Sequence, residues 1–430
     1  MKNIYLFNPQ NDLALAKGGI NYVAPPFALQ MAHDLAVLPA FLADPGSLLI
    51  TDSDRDAEWL EHLNTTFGLD VHAVKRAELR RLTDYRIMPW GWCLDLRRRL
   101  IKWGANSANL PSNDEITHLR GLSHRRVSVL IHLRLKELLG EQLCPSPVEL
   151  AVEDDILHFV KQHPSCFIKT PWSSSGRGIY HTIDGYTPDF DQWCRGALKR
   201  QGSLLCEQAL DKKMDFAVEF YCENGKTALK GYSIFATDSH SQYDHGVVAS
   251  KNGLKSRITA LYPKFDRVEN ALTQVVDEMV APHYEGWLGV DMLLFNAQSH
   301  NNAQCIMHNA QSHSNAQSLN NTLGVNPCVE LNLRPTMGAI TSVLGENLIA
   351  PGKTATFRIE QRATAAEQWQ PLKTPVIENH RLCSGTMCLS TPSDAAHYRA
   401  TLSIDDVIEA VAKSSRSGNE SFLTYFRFLS

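Results

Sequence analysis

The sequence predicts an α/β chain in three parts. A small α/β unit spans 1–113, a larger two-lobed α+β unit spans 114–345, and an extension spans 346–430. Three observations carry this reading. Strand and helix patterns alternate from Ile4 to Val74, as a parallel sheet with helical crossovers requires. A strand ending at Lys169–Thr170 runs directly into a Ser/Gly turn and a second strand. A late strand alternates Val329, Leu331 and Leu333 with Glu330, Asn332 and Arg334, so its polar set shares one face.

In chain order, Ile4–Phe7 reads as the first strand and Pro26–Phe41 as helical. Ser47–Thr51 is a second strand, Asp54–Phe67 an amphipathic helix and Val71–Val74 a third strand. One helical region is expected over 114–140. Ser123 would cap its apolar stripe of Val127, Leu130, Ile131, Leu133, Leu135, Leu138 and Leu139. Cys144-Pro145-Ser146-Pro147 breaks the chain. Strands follow at Phe167–Thr170, Ile179–Ile183, Leu204–Gln208, Phe216–Cys222 and Thr227–Ala236. Asn224-Gly225 signals a tight hairpin between the last two. Phe265–His283 is helical with one apolar face, and Trp287–Phe295 and Pro327–Arg334 are strands. The lobes of the larger unit are taken as about 114–205 and 206–345.

Asn296–His308 and Asn309–Asn321 form a tandem duplication with eight of thirteen positions identical. Its polar, Asn/Gln-rich composition predicts a disordered hairpin loop over 296–326. A metal role for His300, His308 and His313 is the weaker alternative. The tail is expected to hold a helix at Ser403–Ala412 and a docking aromatic segment at Phe422–Leu429.

The chain has 430 residues, 43% hydrophobic and 20% charged, with a net charge of −4. That composition is globular. Its slight acidity offers no broad field for nucleic acid or anionic lipid, so neither nucleic acid nor membrane is an expected partner. No segment reaches the ~20 apolar residues that would span a bilayer, and Met1–Phe7 is too short for a signal-peptide core. Ten cysteines include no C-x-x-C pair, and the nearest two, Cys383 and Cys388, match no common zinc spacing. Reduced thiols and a cytoplasmic location are expected. Homo-oligomerisation stays open.

Four constellations carry chemistry. The first is Lys169 followed by Ser173, Ser174, Ser175, Gly176, Arg177 and Gly178. Small residues let backbone N–H groups approach an anion, the glycines permit positive φ, and the lysine supplies a point charge for phosphate. A plain β-hairpin with a polar turn is the competing reading. The second is Glu330, Asn332 and Arg334, which offer a carboxylate, an amide oxygen and a guanidinium in a row. These suit a hard divalent ion and a phosphoryl oxygen. The alternative is a solvated face with a Glu330–Arg334 salt bridge. The third is Asp291, alone in an apolar strand, where an unpaired carboxylate is costly unless it is paired or metal-bound. The fourth is Glu207-Gln208 at a strand end with Asp215 beyond, suited to an adenine amino group and ribose hydroxyls.

Taken in order, these pieces resemble the ATP-grasp superfamily of carboxylate–amine or carboxylate–thiol ligases. The resemblance covers about 114–345, and the unit before it looks like the small domain that precedes this fold. It implies ATP and Mg2+, with Mn2+ as the alternative ion. Lys169 would hold phosphates, and Ser173–Gly178 would form the closing loop. Glu207 and Gln208 would meet adenine, and Asp215 ribose. Asp291, Glu330 and Asn332 would hold metal, and Arg334 would steady the transferring phosphoryl group. A second phosphate-binding lysine usual in the family is missing. Arg125 or Arg126 stands near its place, with a free surface arginine as the alternative.

The implied reaction activates a small-molecule carboxylate as an acylphosphate, which an amine or thiol then attacks. The alternatives are a kinase of the same fold or a nucleotide-binding module without turnover. Asn8, Asn11 and Asp12 follow the first strand, where open α/β sheets expose ligand crevices. They are candidates for the acid, with a plain polar turn as the rival reading. Lys251 and Arg257 are candidates for the acceptor, with surface charge as theirs.

Overall fold

The computed structural model describes residues 2–140, 143–173, 176–183, 185–238, 242–297, 323–362, 364 and 367–404. The elements run β1 Lys2–Leu6, α1 Asn11–Lys17, α2 Pro26–Asp34, β2 Ser47–Ile50, α3 Asp54–Phe67, β3 Val71–Val74, β4 Tyr85–Pro89, α4 Leu94–Lys102, α5 Asn113–Leu122 and α6 Arg126–Leu139. Next come β5 Val148–Leu150, α7 Glu153–Gln162, β6 Cys166–Lys169, β7 Ile179–Thr182, α8 Pro188–Gln201 and β8 Leu204–Gln208. Then follow β9 Lys212–Glu223, β10 Lys226–Thr237, β11 Tyr243–Val248, α9 Lys251–Leu261, α10 Phe265–Met279 and β12 Gly286–Asn296. The last are β13 Leu323–Asn332, α11 Met337–Asn347, β14 Ala355–Gln361, β15 Val376–Glu378, β16 Arg381–Cys388 and β17 Tyr398–Ile404.

Among the described residues there are three sheets. The first is parallel, in the order β3-β2-β1-β4, as the strand–helix alternation predicts. The second is small and antiparallel, β5-β8-β6-β7. It carries Lys169 on β6 and Glu207 on β8. The third is antiparallel, in the order β13-β12-β9-β10-β11-β14-β17-β16-β15. The β9–β10 turn holds Asn224 at φ 52° and Gly225 at φ 71°, the positive-φ pair of a type I′ hairpin.

Two large cores fix these layers. α6 and α10 lay Ile131, Leu135, Leu272 and Val276 against Phe216, Val218, Val290 and Leu331 of the large sheet. A second core joins Leu49, Leu60 and Trp90 of the N-terminal sheet region to Leu344, Phe357 and Leu402. The strands from Ala355 to Ile404 are therefore packed into the body of the fold. Apart from Trp90, all of these buried side chains are Leu, Ile, Val or Phe with no polar atom to satisfy, and truncating a Leu, Ile or Phe among them costs about 2–5 kcal/mol.

Several expectations need correction. The helical region over 114–140 is two helices. Ser123 ends α5, donating to Leu119 O at 2.8 Å, and does not cap α6. The helix predicted from Pro26 stops at Asp34, and a 3-10 turn covers Leu38–Leu42. β13 begins at Leu323, inside the span read as loop. Ser403 and Ile404 are strand, where a helix was expected. The remainder of that helix, Phe422–Leu429, His300, His308, His313 and nearly all of the repeat lie outside the described residues. No described helix is long and apolar enough to cross a membrane, and the described cysteines are unpaired thiols.

Candidate active site

Register builds the centre of the site. On β12, Asp291 stands opposite Ala217 of β9 and Glu330 of β13, while Gly289 stands opposite Glu219 and Asn332. Paired residues in a sheet share a face, so Asp215, Glu219, Asp291, Glu330 and Asn332 project together. Asn332 Nδ2 donates to Asp291 Oδ2 at 3.1 Å. Burial pushes the Asp291 carboxyl up to about 7, with nearby Glu330 adding to the shift.

Glu219 is a member that pattern reasoning missed. It is 1% exposed. Burial, then the Asp291 charge, pushes its carboxyl up to about 8. It accepts from Thr336 Oγ1 at 2.9 Å and Ser233 Oγ at 3.4 Å. A Cβ at Gly338 would lie 2.0 Å from its Oε1. Glycine therefore leaves the space the carboxyl occupies. The available signal was a lone acid in the apolar run Phe216-Ala217-Val218-Glu219-Phe220, the same signal that marked Asp291.

Arg334 is held across the fold. Its Nη2 lies 2.8 Å from Asp12 Oδ2, its Nε donates to the same carboxylate at 2.9 Å, and Nη2 also reaches Asn332 Oδ1 at 3.3 Å. The alternative Glu330–Arg334 bridge does not form. Glu330 instead pairs with Arg125, whose Nη2 donates to Oε1 at 2.7 Å. Arg125 is 5% exposed, and its Nη1 donates to Thr170 O at 2.6 Å and Ser173 Oγ at 2.7 Å. It is thus no free surface arginine. Arg126 is the solvated one, paired with Glu149 at 2.8 Å.

The loop is anchored at both ends. Trp172 Nε1 donates to Arg120 O at 2.9 Å, and the Arg120 guanidinium lies 3.7 Å from the Trp172 ring. Arg177 stacks on Phe27 of α2 at 3.7 Å. Gly176 and Gly178 have φ of 72° and 75°, as the Ser/Gly pattern requires. Ser174 and Ser175 lie outside the described residues.

The other predicted residues are placed as follows. Lys169 forms an ion pair with Glu207 on the neighbouring strand. The residue expected to meet adenine is therefore engaged with the residue expected to meet phosphate. Gln208 contacts His163 at 3.3 Å. Asp215 pairs with Lys212 at 2.7 Å. Asn8 exchanges two hydrogen bonds with Gly91, at 2.8 and 3.2 Å. The Asn11 amide nitrogen, oriented as its surroundings require, donates to Gly91 O and Trp92 O at 3.1 Å. Both asparagines thus shape the β4–α4 turn, and Asp12 orients Arg334, so none of the three presents a free group for the acid. Lys251 Nζ donates to Leu229 O and Arg257 to Thr354 Oγ1. Neither Leu229 nor Thr354 belongs to the site.

The donors fit a hard cation. Asp291 and Glu330 crowd two carboxylates at one register position, and Asn332 stands two positions along on the same face. A divalent ion would offset both the burial and the nearby Glu330 charge that raise Asp291. Among the described residues no three His, Cys, Asp or Glu side chains form a metal group by themselves. Two carboxylates and an amide would need phosphate oxygens and water to complete the shell, as magnesium sites often do.

Solved structures match this arrangement of sheets. A biotin carboxylase–βγ-ATP complex from Campylobacter jejuni aligns with a TM-score of 0.54 at 13% identity, covering 96% of this chain and 90% of that one. The chain has the ATP-grasp fold. This ATP-grasp chain also aligns with a pyruvate carboxylase from Rhizobium etli, with a TM-score of 0.51 at 11% identity, over 98% of its own length and 37% of the other's. A protein from Archaeoglobus fulgidus described as of the ATP-grasp superfamily aligns at 12% identity and a TM-score of 0.41, covering 94% of this chain and all of that one. No family model and no curated protein matches the sequence.

Proposed function

We propose that this chain is an ATP-dependent ligase that activates a small-molecule carboxylate for attack by an amine or thiol, using Mg2+. The observation that carries this is the face shared by Asp291, Glu330 and Asn332, bordered by Arg334 and tied through Arg125 to the glycine loop. The fold it shares with a biotin carboxylase–βγ-ATP complex supports a nucleotide in that position.

Asp291, Glu330 and Asn332 would hold the ion, which supplies charge neutralisation for the β- and γ-phosphates when bound. The Ser173–Gly178 loop would offer backbone N–H groups to the phosphates, and Lys169, paired with Glu207, would add positive charge. Asp215 and Gln208 are left to meet ribose and adenine. One substrate carboxylate oxygen attacks the γ-phosphorus, the bond to the β,γ-bridging oxygen breaks, and ADP departs. The acceptor nitrogen or sulfur then attacks the acyl carbon, the bond from that carbon to the phosphate oxygen breaks, phosphate leaves, and the acceptor proton passes to solvent. The protein's work is positioning and charge stabilisation. Arg334, fixed by Asp12, faces the charge that develops on the transferred phosphoryl group.

Hydroxylamine trapping tests this. Protein, ATP, Mg2+ and a panel of carboxylic acids should give ADP and an acyl hydroxamate. Glu330→Gln should fold normally and lose about 100-fold or more of that turnover. Undiminished turnover in Glu330→Gln would refute the metal assignment. A phosphorylated alcohol in place of a hydroxamate would identify a kinase.

A further inference from the structure

The helix that follows Arg334 meets the large sheet across glycines. α11 buries Gly338 and Gly345, and the sheet meets it with Gly231 and Gly289. A Cβ at Gly345 would lie 2.0 Å from Ala249 O, and one at Gly231 would lie 2.6 Å from Ser342 Cβ. Helix and strands approach too closely at these points for any side chain beyond hydrogen. Yet a carboxylate is lodged between two of them. A Cβ at Gly289 would lie 2.8 Å from Glu219 Oε2, and one at Gly338 2.0 Å from Glu219 Oε1. One glycine from the sheet and one from the helix therefore clear the space for the same group.

Packing alone does not account for that choice. A buried carboxyl carries a desolvation cost that a methionine of similar volume lacks. What the carboxyl adds is an acceptor for the cap of α11. Thr336 Oγ1 accepts from Ala339 N at 2.9 Å, as an N-cap does. Its hydroxyl proton is left to donate, and it goes to Glu219 Oε2 at 2.9 Å. The Pro335 carbonyl, in the peptide that joins Pro335 to Thr336, accepts from Arg334 Nη1 at 3.1 Å. That peptide is planar, so a shift of Thr336 carries the carbonyl with it. From the other side Asp12 holds Nε and Nη2 of the same guanidinium. Arg334 thus has two supports, Asp12 and a peptide plane whose setting runs back through Thr336 to Glu219.

We infer that Glu219 is a positioning residue for Arg334, acting through the Thr336 cap. At 1% exposure it works on the arginine and not on a substrate. What Arg334 does in the reaction rests on the ligase reading; how it is held does not.

Three variants of the full chain test this. Glu219→Met fills the space without an acceptor. Glu219→Gln keeps an oxygen for Thr336 and can turn its amide to the Ser233 hydroxyl, and Thr336→Val removes the donor. The first readout is proton exchange at the Arg334 Nε–H, identified in nitrogen-correlated NMR spectra by its loss in Arg334→Lys. Glu219→Met and Thr336→Val should each speed exchange about tenfold, the weight of one hydrogen bond to a charged group. The double variant should go no further, and Glu219→Gln should stay near wild type. The melting temperature should hold in Glu219→Met, because an apolar group in place of a buried charge is often neutral. Lowered stability with unchanged exchange would show a role in packing alone and overturns the inference.

The second readout titrates ADP and Mg2+ with and without fluoroaluminate, which stands where the transferred phosphoryl group would. Fluoroaluminate should tighten wild-type binding about 100-fold. Glu219→Met and Arg334→Lys should each lose about tenfold of that gain, with MgADP alone bound as before. Faster exchange in Glu219→Met with no gain in the wild type removes the ligase reading and keeps the positioning role. A gain that Arg334→Lys loses and Glu219→Met retains overturns the positioning role and leaves the ligase reading standing.

Discussion

Arg125 Nη2 donates to Glu330 Oε1 at 2.7 Å across 205 residues of sequence. The same guanidinium holds Ser173 and the Thr170 carbonyl. One buried arginine therefore couples the position of the glycine loop to a residue proposed to hold metal. Arg125→Ala leaves Glu330 without its partner and the loop without its tether. We expect a stability loss of about 1–3 kcal/mol and MgADP binding weakened about tenfold. Arg125→Lys should recover part of the stability but little of the affinity, because an ammonium cannot span three acceptors in a planar fork. Thermal unfolding and calorimetric titration read the two effects separately. Wild-type MgADP affinity in Arg125→Lys would show that charge alone suffices there.

Gly178 has φ 75°, and a Cβ there would sit 2.4 Å from Thr170 Oγ1 and 2.9 Å from Ser173 Cβ. Gly178→Ala combines a left-handed backbone cost of about 1–2 kcal/mol with a collision inside the loop. The loop must move, and the backbone donors move with it. Turnover should fall about tenfold or more, while the chemical-denaturation midpoint falls by no more than the backbone cost of about 1–2 kcal/mol requires, because the loop contributes little core. Steady-state kinetics beside a urea melt decides it. A large midpoint shift with intact kinetics would place the role of Gly178 in folding alone.

The parts of the site that were legible in the sequence were those with short-range grammar. Period-two alternation put Glu330, Asn332 and Arg334 on one face, and Asp291 stood out because carboxylates are rare in apolar strands. The Ser/Gly run after Lys169 announced its turn. Partnerships over long sequence distance were not legible. Asp12 with Arg334 spans 322 residues and Arg125 with Glu330 spans 205, and nothing local specifies which acid meets which base. Glu219 was missed although it carries the same signal as Asp291. Ser123 misled because a serine before an apolar run also suits a helix C-terminus, where its hydroxyl returns to the i−4 carbonyl. The strands at 355–404 were passed over because the tail shows no chemistry to draw attention to its alternation.

Two buried histidines should make the fold acid-labile. His132 on α6 is fully buried, and burial, then Lys136, pushes it down to about 4; His124 is pushed down to about 4 by burial, then Arg126. Both folded values lie below the unfolded value of 6.5. The unfolded chain therefore binds protons that the folded chain refuses. Stability from these groups is present above about pH 6.5 and is lost as pH falls from there towards 4. The slope can reach about 1.4 kcal/mol per pH unit for each histidine. Urea unfolding at pH 7, 6 and 5 should show the fall, and His132→Leu should flatten it by roughly half. An unchanged slope in that variant would mean that the His132 ring takes up its proton alike in the folded and unfolded states.

Asp12 and Arg334 form a bidentate contact with side-chain exposures of only 17% and 20%. Water screens such a pair less than one at the surface, so removing either partner should strand the other. Asp12→Asn keeps the shape and the oxygen but removes the charge. Arg334 would then be held less firmly at the point where charge develops on the transferred phosphoryl group. The expected result is a fall in kcat with MgATP affinity nearly unchanged, since Arg334 serves the transition state more than the bound nucleotide. A double-mutant cycle with Arg334→Lys should give a coupling of about 1–3 kcal/mol in stability, and the double variant should lose little kcat beyond Arg334→Lys alone. Additive losses in kcat would show that Asp12 acts on the substrate directly and does not work through Arg334.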